Sequence, residues 1–422
     1  MYKSYQPIVV AIVASAAALL GSSTSPVDAE SRDGQSLSSA GQTYLSRVLD
    51  LAVARNDTPG VVALVVDRSR VLYEGAAGTL HAGSDQQMPI DAIFKVASMT
   101  KPVTTVAAMI LVEQGKLKLD DPVSKFLAGF ENLKVIKKFN EVDGSYETRP
   151  AARAMTIRHL LTHTSGIGYG FSSPIVNRLQ ADSQKEEWQL PLLHDPGAMW
   201  TYGASTSVLG LIIEKLTGKS LEDFDQERIF KPLDMVDTSY AVVAEKQTRV
   251  ASSYRHVGET FQLRPQAPLP SIPTPPFSGS SGLYSTARDY GRFMQMLLNG
   301  GRLGKVRILS AHSVHLMSEN QIGAIVVALQ PAADPAETRP FPLGAGHDKF
   351  GFGFQIASAD ANAARYRSPG SLSWAGLLNT GFWVDPRRNI GGVVLMQFLP
   401  FYDEGAIRAL REFEAALYQQ LP

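Results

Sequence analysis

The stretch KVASMTKPVTTVAAMILVEQGKL, from Lys95 to Leu117, places a serine and a lysine three residues apart where an apolar helical pattern begins. Residues three apart lie on one face of an α-helix, so Ser98 and Lys101 are expected to touch if a helix starts at or just before the serine. A helix N-terminus also presents free N–H groups that favour an anionic oxygen. Pro102 removes one helical hydrogen bond, which predicts an irregular first turn.

This pair has the chemistry of a nucleophile and its base. A serine needs a nearby base, and a lysine can serve only if desolvation or neighbouring positive charge lowers its pKa towards neutrality. The apolar residues on both sides of the motif supply such a setting. The alternative is a helix-capping Ser98 beside a surface Lys101, because Ser-x-x-Lys is expected about once by chance in a chain of this length.

A tyrosine further along the chain adds to the pair. In DPGAMWTYGASTSVLGLIIEKLTGKSL, Tyr202 follows a Pro-Gly turn and precedes an apolar helical pattern. A phenol whose pKa is lowered by a neighbouring ammonium could take the serine proton and return it to a leaving group. The alternative is a packed aromatic ring with a satisfied hydroxyl.

A third motif lies near the C-terminus, in SLSWAGLLNTGFWVDP. A small residue followed by glycine within a strand lets another backbone approach closely, and the next N–H can point into a cleft. The N–H groups of Leu377 and Ser98 would then form a two-donor oxyanion hole. Taken alone, WAG is also compatible with a simple bulge.

Composition narrows the range of partners. The chain of 422 residues is 44% hydrophobic and balances 40 basic with 40 acidic residues, which predicts a large core and no attraction to nucleic acid. The absence of cysteine excludes disulfides, thiolate metal sites and a cysteine nucleophile. No cofactor fingerprint is present, and no HExxH motif accompanies His159 and His163. We therefore expect no metal and no cofactor, and a small-molecule substrate.

The N-terminus resembles a secretory signal. Lys3 supplies the positive charge, Ile8 to Leu20 is a short apolar run, and VDA ending at Ala29 fits a cleavage site. The alternative is a membrane anchor, but the run falls short of the roughly 20 residues needed to span a bilayer. Residues 1–29 are thus predicted to be removed, leaving an exported, periplasmic or secreted protein without a membrane span.

Strand patterns occur at both ends of the mature chain. GVVALVVDRSRVLYEGAAGTL predicts a hairpin, and FGFGFQIA, SLSWAGLLNTGFWVDP and IGGVVLMQFLP predict later strands. We expect an α/β (α+β) fold with one antiparallel sheet flanked by helices. Its α/β domain would be split between residues 30–118 and 283–422, with a mostly helical inserted domain over residues 119–282.

Together these motifs resemble the serine beta-lactamases and penicillin-recognising proteins, and within them class C beta-lactamase-like hydrolases and family VIII carboxylesterases. SMTK matches the family's nucleophile motif. RHLLTHTSGI, WTYGASTSVLGLIIEKLTG, GSSGLYSTARDYGRFMQMLLNGG and GFWVDPRRNIGGVVLMQFLPF look like its landmarks in the family's order. The resemblance implies a beta-lactamase/transpeptidase-like fold with Ser98 as nucleophile, Lys101 and Tyr202 as the base system, and Leu377 as an oxyanion donor.

Two departures from the family pattern bear on the substrate. Beta-lactamases of this class carry Tyr-x-Asn and Lys-Thr-Gly, whereas this chain has Ala204 in place of the asparagine and Trp374 in place of the lysine. The missing groups would hold the amide and carboxylate of a beta-lactam. Trp374, Ala375 and Gly376 are therefore expected to contact the substrate in a more apolar cleft, similar to the esterase and transesterase branch.

We therefore predict a serine carboxylesterase that acts on neutral esters through an acyl-enzyme on Ser98 and is able to transesterify. One alternative is a beta-lactamase or a peptidase of the D-Ala-D-Ala carboxypeptidase type. Another is a catalytically poor binding or sensor module, against which the intact serine, lysine and tyrosine argue. The motifs carry no information on the oligomeric state.

Overall fold

The computed structural model of the protein describes residues 36–81, 83–183, 185–265, 268–359 and 366–421. The predicted signal segment, residues 1–29, lies outside these ranges. The α-helices are α1 (Ser39–Ala54), α2 (Thr100–Glu113), α3 (Ile157–Leu161), α4 (Pro174–Ser183), α5 (Ser205–Thr217), α6 (Leu221–Asp225), α7 (Lys231–Leu233), α8 (Ala287–Leu298), α9 (Ala311–Ser318) and α10 (Glu404–Gln420).

The strands are short except in the main sheet. They are β1 (Gly60–Asp67), β2 (Val71–Gly78), β3 (Phe94–Lys95), β4 (Lys134–Phe139), β5 (Tyr146–Pro150), β6 (Tyr254–Val257), β7 (Thr260–Leu263), β8 (Tyr284–Ser285), β9 (Arg302–Leu303), β10 (Val306–Arg307), β11 (Lys349–Phe350), β12 (Gln355–Ile356), β13 (Leu372–Gly376), β14 (Thr380–Asp385), β15 (Ile390–Leu395) and β16 (Phe398–Leu399).

The main sheet joins the two ends of the chain. Its seven strands follow the order β11-β12-β13-β14-β15-β1-β2, and every neighbouring pair is antiparallel. The predicted hairpin is β1 and β2, with Val62 opposite Ala76. On its other edge β1 pairs with β15, where Leu64 lies opposite Val393. The predicted antiparallel sheet built from both ends of the chain is confirmed.

Helices cover both faces of this sheet, so β1 is buried at each of its positions. Alternate residues of β1 point to opposite faces because the side-chain period of a strand is two. Val61, Ala63 and Val65 belong to an apolar cluster with residues of α1 and α10. The alternate residues from Val62 to Val66 belong to a second cluster with residues of α8. The flanking helices expected from the sequence are thus present on both faces.

The segment of residues 119–282 contains α3 to α7 together with the hairpins β4–β5 and β6–β7. Helix α2 is buried from Thr100 to Leu111 and contacts α5 and α6 of this segment. The division into a split α/β domain and an inserted domain stays a prediction. Among the described residues, no helix combines the length and the apolar character that a membrane crossing requires.

Candidate active site

A strained turn presents Ser98 at the entrance to α2. Ala97 has a φ of +46°, in the left-handed region that residues with a Cβ rarely adopt. Ala97 is the first residue of the 3₁₀ turn Ala97–Met99, and α2 begins directly after this turn, at Thr100. Thr100 Oγ1 donates a hydrogen bond to the Ala97 carbonyl at 2.7 Å, and the Tyr290 hydroxyl donates to the Met99 carbonyl at 3.0 Å. The irregular helix start predicted from the sequence is confirmed, and these bonds hold it in place.

Lys101 lies behind Ser98 and is only 1% exposed. Its Nζ lies 3.1 Å from Ser98 Oγ, 3.0 Å from the Tyr169 hydroxyl and 2.9 Å from the Ser280 carbonyl oxygen. Burial lowers the lysine pKa well below its ordinary value, and the charge of Glu187 opposes this change only in part. The contact between Ser98 and Lys101 expected from their spacing is present.

The partners of Lys101 suit a neutral amine. Such an amine has two N–H donors and one lone pair, and the Ser280 carbonyl can only accept a hydrogen bond. When the Tyr169 hydroxyl accepts the second N–H, the lone pair faces the hydroxyl of Ser98. In this arrangement the lysine is ready to take the serine proton.

Tyr202 is positioned by backbone contacts in the loop before α5. Its N–H donates to Gln330 Oε1 at 3.2 Å. The next residue, Gly203, packs so closely that a Cβ there would lie 2.0 Å from the carbonyl oxygen of Ile167. Glycine is therefore required beside Tyr202, because any side chain would push the loop away from its neighbour.

The pKa of Tyr202 differs from the sequence-based expectation. Burial raises it above the ordinary value for a phenol, and the nearby Ser98 hydroxyl and Trp374 indole reduce this rise. Trp374 Nε1 itself has no partner with hydrogen-bond geometry among the described residues. The expectation of a pKa lowered by an adjacent ammonium is wrong, because burial of the phenol itself is the largest influence on its pKa and acts in the opposite direction. Tyr202 is a neutral phenol.

A second tyrosine, Tyr169, was missed by the sequence reasoning. Its hydroxyl accepts a hydrogen bond from Lys101, and its ring stacks on Phe171 at 4.9 Å between centroids. Burial raises its pKa well above the ordinary value, so this phenol is also neutral. The only sequence signal is its position just after the landmark HTSGI, because no fixed spacing connects it to Lys101.

Aromatic side chains surround the catalytic tyrosine candidate. The ring centroids of His163 and Trp374 each lie 5.0 Å from that of Tyr202. Burial lowers the His163 pKa well below its ordinary value, so this imidazole is neutral.

In the part of the chain that the structure describes, no group of three or more His, Cys, Asp or Glu side chains is placed to hold a metal ion.

Strand β13 lies against the nucleophile turn. Thr380, the first residue of the neighbouring strand β14, donates a hydrogen bond from its Oγ1 to the Val96 carbonyl at 3.2 Å. A Cβ added at Gly376 would lie 2.3 Å from the same carbonyl oxygen, so glycine permits this close approach. Leu377 follows directly and lines the same cavity as Ser98. Its role as an oxyanion donor stays a prediction.

A cavity of about 730 Å³ opens beside Ser98. Among the predicted site residues, those that line it are Ser98, Tyr202, Trp374, Ala375 and Leu377. Lys101 lies behind Ser98, and Gly376 packs against Val96. Much of the remaining wall is apolar, and it includes Phe171, Leu269, Phe277, Phe341 and Leu378. The fold therefore gathers the predicted residues into one site from three distant parts of the chain.

Comparisons with known proteins show which family the chain is similar to. A family model described as Beta-lactamase matches residues 45–417. Protein Rv1367c of Mycobacterium tuberculosis (strain ATCC 25618 / H37Rv) is 35% identical over 357 residues, which cover 81% of this chain and 86% of that protein. Monacolin J acid methylbutanoyltransferase of Aspergillus terreus is 28% identical over 403 residues, covering 87% of this chain and 94% of that enzyme.

The solved structures agree on the fold. A LovD6 mutant of simvastatin synthase from Aspergillus terreus matches with a TM-score of 0.76 and 26% identity, covering 91% of this chain and 98% of that one. The predicted beta-lactamase/transpeptidase-like fold is confirmed. Because the family model spans nearly all of the described residues, the protein belongs to the beta-lactamase family, whose members include serine enzymes that transfer acyl groups.

Proposed function

We propose that the protein is a serine carboxylesterase that forms an acyl-enzyme on Ser98. The observation that carries this proposal is the contact of 3.1 Å between Ser98 Oγ and a buried Lys101 Nζ whose pKa is lowered. The serine borders a cavity with a largely apolar wall, which suits the acyl or alkyl portion of an ester. A lysine of ordinary pKa would stay protonated at neutral pH and could not act as the base.

The proton path follows from the neutral state of the three side chains. Ser98 Oγ attacks the ester carbonyl carbon while its proton passes to Lys101 Nζ. The N–H groups of Ser98 and Leu377 stabilise the oxyanion that forms. When the C–O bond breaks, the Tyr202 phenol protonates the leaving alkoxide, and the Lys101 ammonium returns the proton to the phenolate. Water or an alcohol then releases the acyl group by the reverse sequence.

Two substitutions favour esters over lactams. Ala204 and Trp374 replace an amide and a positive charge that the family pattern uses to hold a beta-lactam. A hydrogen bond to a charged group contributes about 1.5 to 3 kcal/mol, which corresponds to roughly one to two decades in transition-state binding. In this protein Trp374 instead packs against Tyr202 within the aromatic wall. The lost interactions and the apolar wall both support an ester substrate.

Steady-state kinetics on both substrate classes tests this proposal. We expect kcat/KM for short- to medium-chain nitrophenyl esters to exceed that for any penicillin or chromogenic cephalosporin by at least about a hundredfold. One enzyme preparation at one pH should be used, with Ser98→Ala as the control for background hydrolysis. A lactam turned over as efficiently as the best ester would favour the beta-lactamase alternative instead.

A second candidate is acyl transfer to an alcohol other than water. It is favoured by the similarity to monacolin J acid methylbutanoyltransferase over 94% of that enzyme's length. The same acyl-enzyme serves both reactions, and only the acceptor differs. Adding alcohols of increasing size to the ester assay and measuring the new ester against free acid would separate the two. Free acid as the sole product at every alcohol concentration would exclude transfer to those alcohols.

We also propose that residues 1–29 direct export to the periplasm or the medium. The motif in the sequence supports this proposal. Fractionation of cells that produce the full chain, followed by N-terminal sequencing of the mature protein, tests it. Retention of the intact N-terminus in the cytoplasm would contradict it.

A further inference from the structure

The charged side chains on the cavity wall have one sign. Among the described residues that line the cavity, the charged ones are Lys95, Arg264 and Arg367, and none is acidic. Arg367 is neutralised by a buried ion pair, with its Nη2 at 2.8 Å from Glu414 Oε2. Lys95 and Arg264 therefore leave unbalanced positive charge beside Ser98, in a chain whose formal net charge is zero.

Lys95 is fixed close to the nucleophile. It lies three residues before Ser98, pairs with Tyr284 of β8, and its N–H donates to Gln397 Oε1 at 3.0 Å. The residue is exposed and lines the cavity, and no carboxylate of the described residues lies within 4.0 Å of its ammonium. The backbone is thus anchored while the charged end is available to a ligand.

Arg264 approaches from the hairpin β6–β7. Its N–H donates to the Ser253 carbonyl at 2.9 Å, and Nη1 donates to Ser253 Oγ at 3.2 Å. Within the described ranges, no carboxylate pairs with this guanidinium. Arg255 on the same hairpin differs, because it pairs with Glu337 at 2.8 Å. Arg264 therefore has no carboxylate in direct contact, and the charge of Glu337 acts on it only at longer range.

The two free cations affect each other. Burial by the cavity wall, together with the positive charge of Arg264, lowers the pKa of Lys95. Like charges that share one low-dielectric cavity repel, and an anion placed between them would relieve that repulsion. Scattered surface lysines and arginines do not have this property, because water screens them separately.

We propose that Lys95 and Arg264 bind an anionic oxygen group of the substrate, a carboxylate on either its acyl or its alcohol part. This inference rests on the proposed function, because it concerns the same cavity and the same ester. It replaces the expectation of a neutral ester, which rested on the amide lost at Ala204 and the cation lost at Trp374. The protein has no lysine at that position, but it carries two cations elsewhere on the cavity wall.

Matched pairs of esters test this inference in the full mature chain. For the acyl part, the pair is the mono-4-nitrophenyl ester of suberic acid and its methyl-capped form. For the alcohol part, it is 4-butanoyloxybenzoate and its methyl ester. We expect the carboxylate member of at least one pair to have the higher kcat/KM, by about tenfold, with most of the difference in KM. The preference should weaken as salt is added.

Substitutions assign the preference to the two side chains. Lys95→Met and Arg264→Met remove one charge each and keep an unbranched apolar side chain, and each should reduce the ratio of anionic to neutral kcat/KM several-fold. The double variant should abolish the preference. Lys305→Met is the matched control, because Lys305 is exposed on the hairpin β9–β10 and does not line the cavity. Its ratio should equal that of the wild type.

Each result either supports the inference or overturns it. Equal kcat/KM within both pairs would overturn the inference, and so would a preference for the carboxylate that survives in the double variant. In either case, hydrolysis of the neutral esters would leave the proposed function intact. If no ester is turned over, the proposed function fails, and binding still decides the inference. In the Ser98→Ala protein, calorimetry should then give a lower Kd for 4-butanoyloxybenzoate than for its methyl ester, and equal values would refute it.

Discussion

Lys101 Nζ lies 3.1 Å from Ser98 Oγ, and the lysine is buried behind the serine that it contacts. Tyr169 and Ser280 provide its other two polar contacts. Burial therefore has two consequences at this site, because it removes the positive charge of the lysine and strengthens its hydrogen bonds. The lysine acts as a base in this surrounding, which an exposed ammonium cannot do.

The pH profile of ester hydrolysis should reveal this lowered pKa. The base is active when deprotonated, so kcat/KM should rise as pH increases through the pKa of Lys101 and stay constant above it. We expect the plateau to begin well below pH 10.5, the ordinary value for lysine. Rates measured from acid to alkaline pH on a neutral nitrophenyl ester would show it, with Lys101→Met as the control that lacks the rise. A rate that still increases at pH 10 would contradict a neutral lysine base.

Lys101 and Tyr202 should behave as one unit in proton transfer. Lys101→Ala and Tyr202→Phe are each expected to reduce kcat by about 10² to 10⁴, because each interrupts the same proton path. The double variant should be scarcely worse than either single one, since residues that share a step are strongly non-additive. Losses that simply multiply in a double-mutant cycle would show that the two residues act in separate steps.

The parts of the site that the sequence predicted are those set by local spacing or by a family landmark. Ser98 and Lys101 are three residues apart, so helix geometry alone brings them together. The hairpin β1–β2 is likewise local, because its alternating pattern and bend lie in one short stretch. Tyr202 has no such local relation to the serine, and only the family pattern indicated its place.

The missed features depend on tertiary packing. Tyr169 and Ser280 reach Lys101 from loops far along the chain, and no spacing in the sequence encodes these contacts. The direction of the Tyr202 pKa shift was wrong because burial, which is a property of the folded chain, dominates it. Lys95 and Arg264 share a cavity for the same reason, and only the fold could reveal that pairing.

Asp225 should make the stability of the protein depend on pH. Its side chain is fully buried, and neither carboxyl oxygen has a hydrogen-bond partner within the described residues. Burial and the charge of Glu222, which accepts a hydrogen bond from the Tyr240 N–H at 2.9 Å, raise the Asp225 pKa well above its ordinary value. The folded state therefore keeps a proton that the unfolded chain releases above about pH 4.

The sign of the effect follows from this difference. Because the folded state binds the extra proton, the free energy of unfolding falls by about 1.4 kcal/mol per pH unit between the unfolded and the folded pKa. Asp225→Asn removes this dependence, so the variant should gain stability relative to the wild type as pH rises from 5 to 8. Urea unfolding at both pH values measures it, with exposed Asp85→Asn as the control. A stability difference that does not change with pH would contradict the assignment.

Gly376 should be required for the rate of acylation, because it sets the distance between β13 and the nucleophile turn. A Cβ there would lie 2.3 Å from both the Val96 carbonyl oxygen and Thr380 Oγ1, so Gly376→Ala must move the strand or the turn. Either movement displaces the proposed oxyanion donor at Leu377 relative to Ser98. Loss of one such donor costs about 10² to 10³ in kcat, and a displaced donor should cost about ten- to a hundredfold.

Gly381 on β14 provides the matched control for this prediction. It pairs with Ala375 of β13 and lines the cavity, and a Cβ there would meet no protein atom within 4 Å. Gly381→Ala should therefore fold and leave Leu377 in place, so its acylation rate at saturating ester should match the wild type, and any effect of the added methyl group on substrate should fall on KM. Stopped-flow acylation with a nitrophenyl ester separates slower chemistry from weaker binding, and a thermal melt shows whether each variant is folded. A folded Gly376→Ala that acylates at the wild-type rate would mean that the approach of β13 does not set the oxyanion geometry. Slow acylation in both variants would point instead to a general loss of sheet packing. Only slow acylation by Gly376→Ala, together with normal acylation by Gly381→Ala, assigns the effect to the contact with Val96.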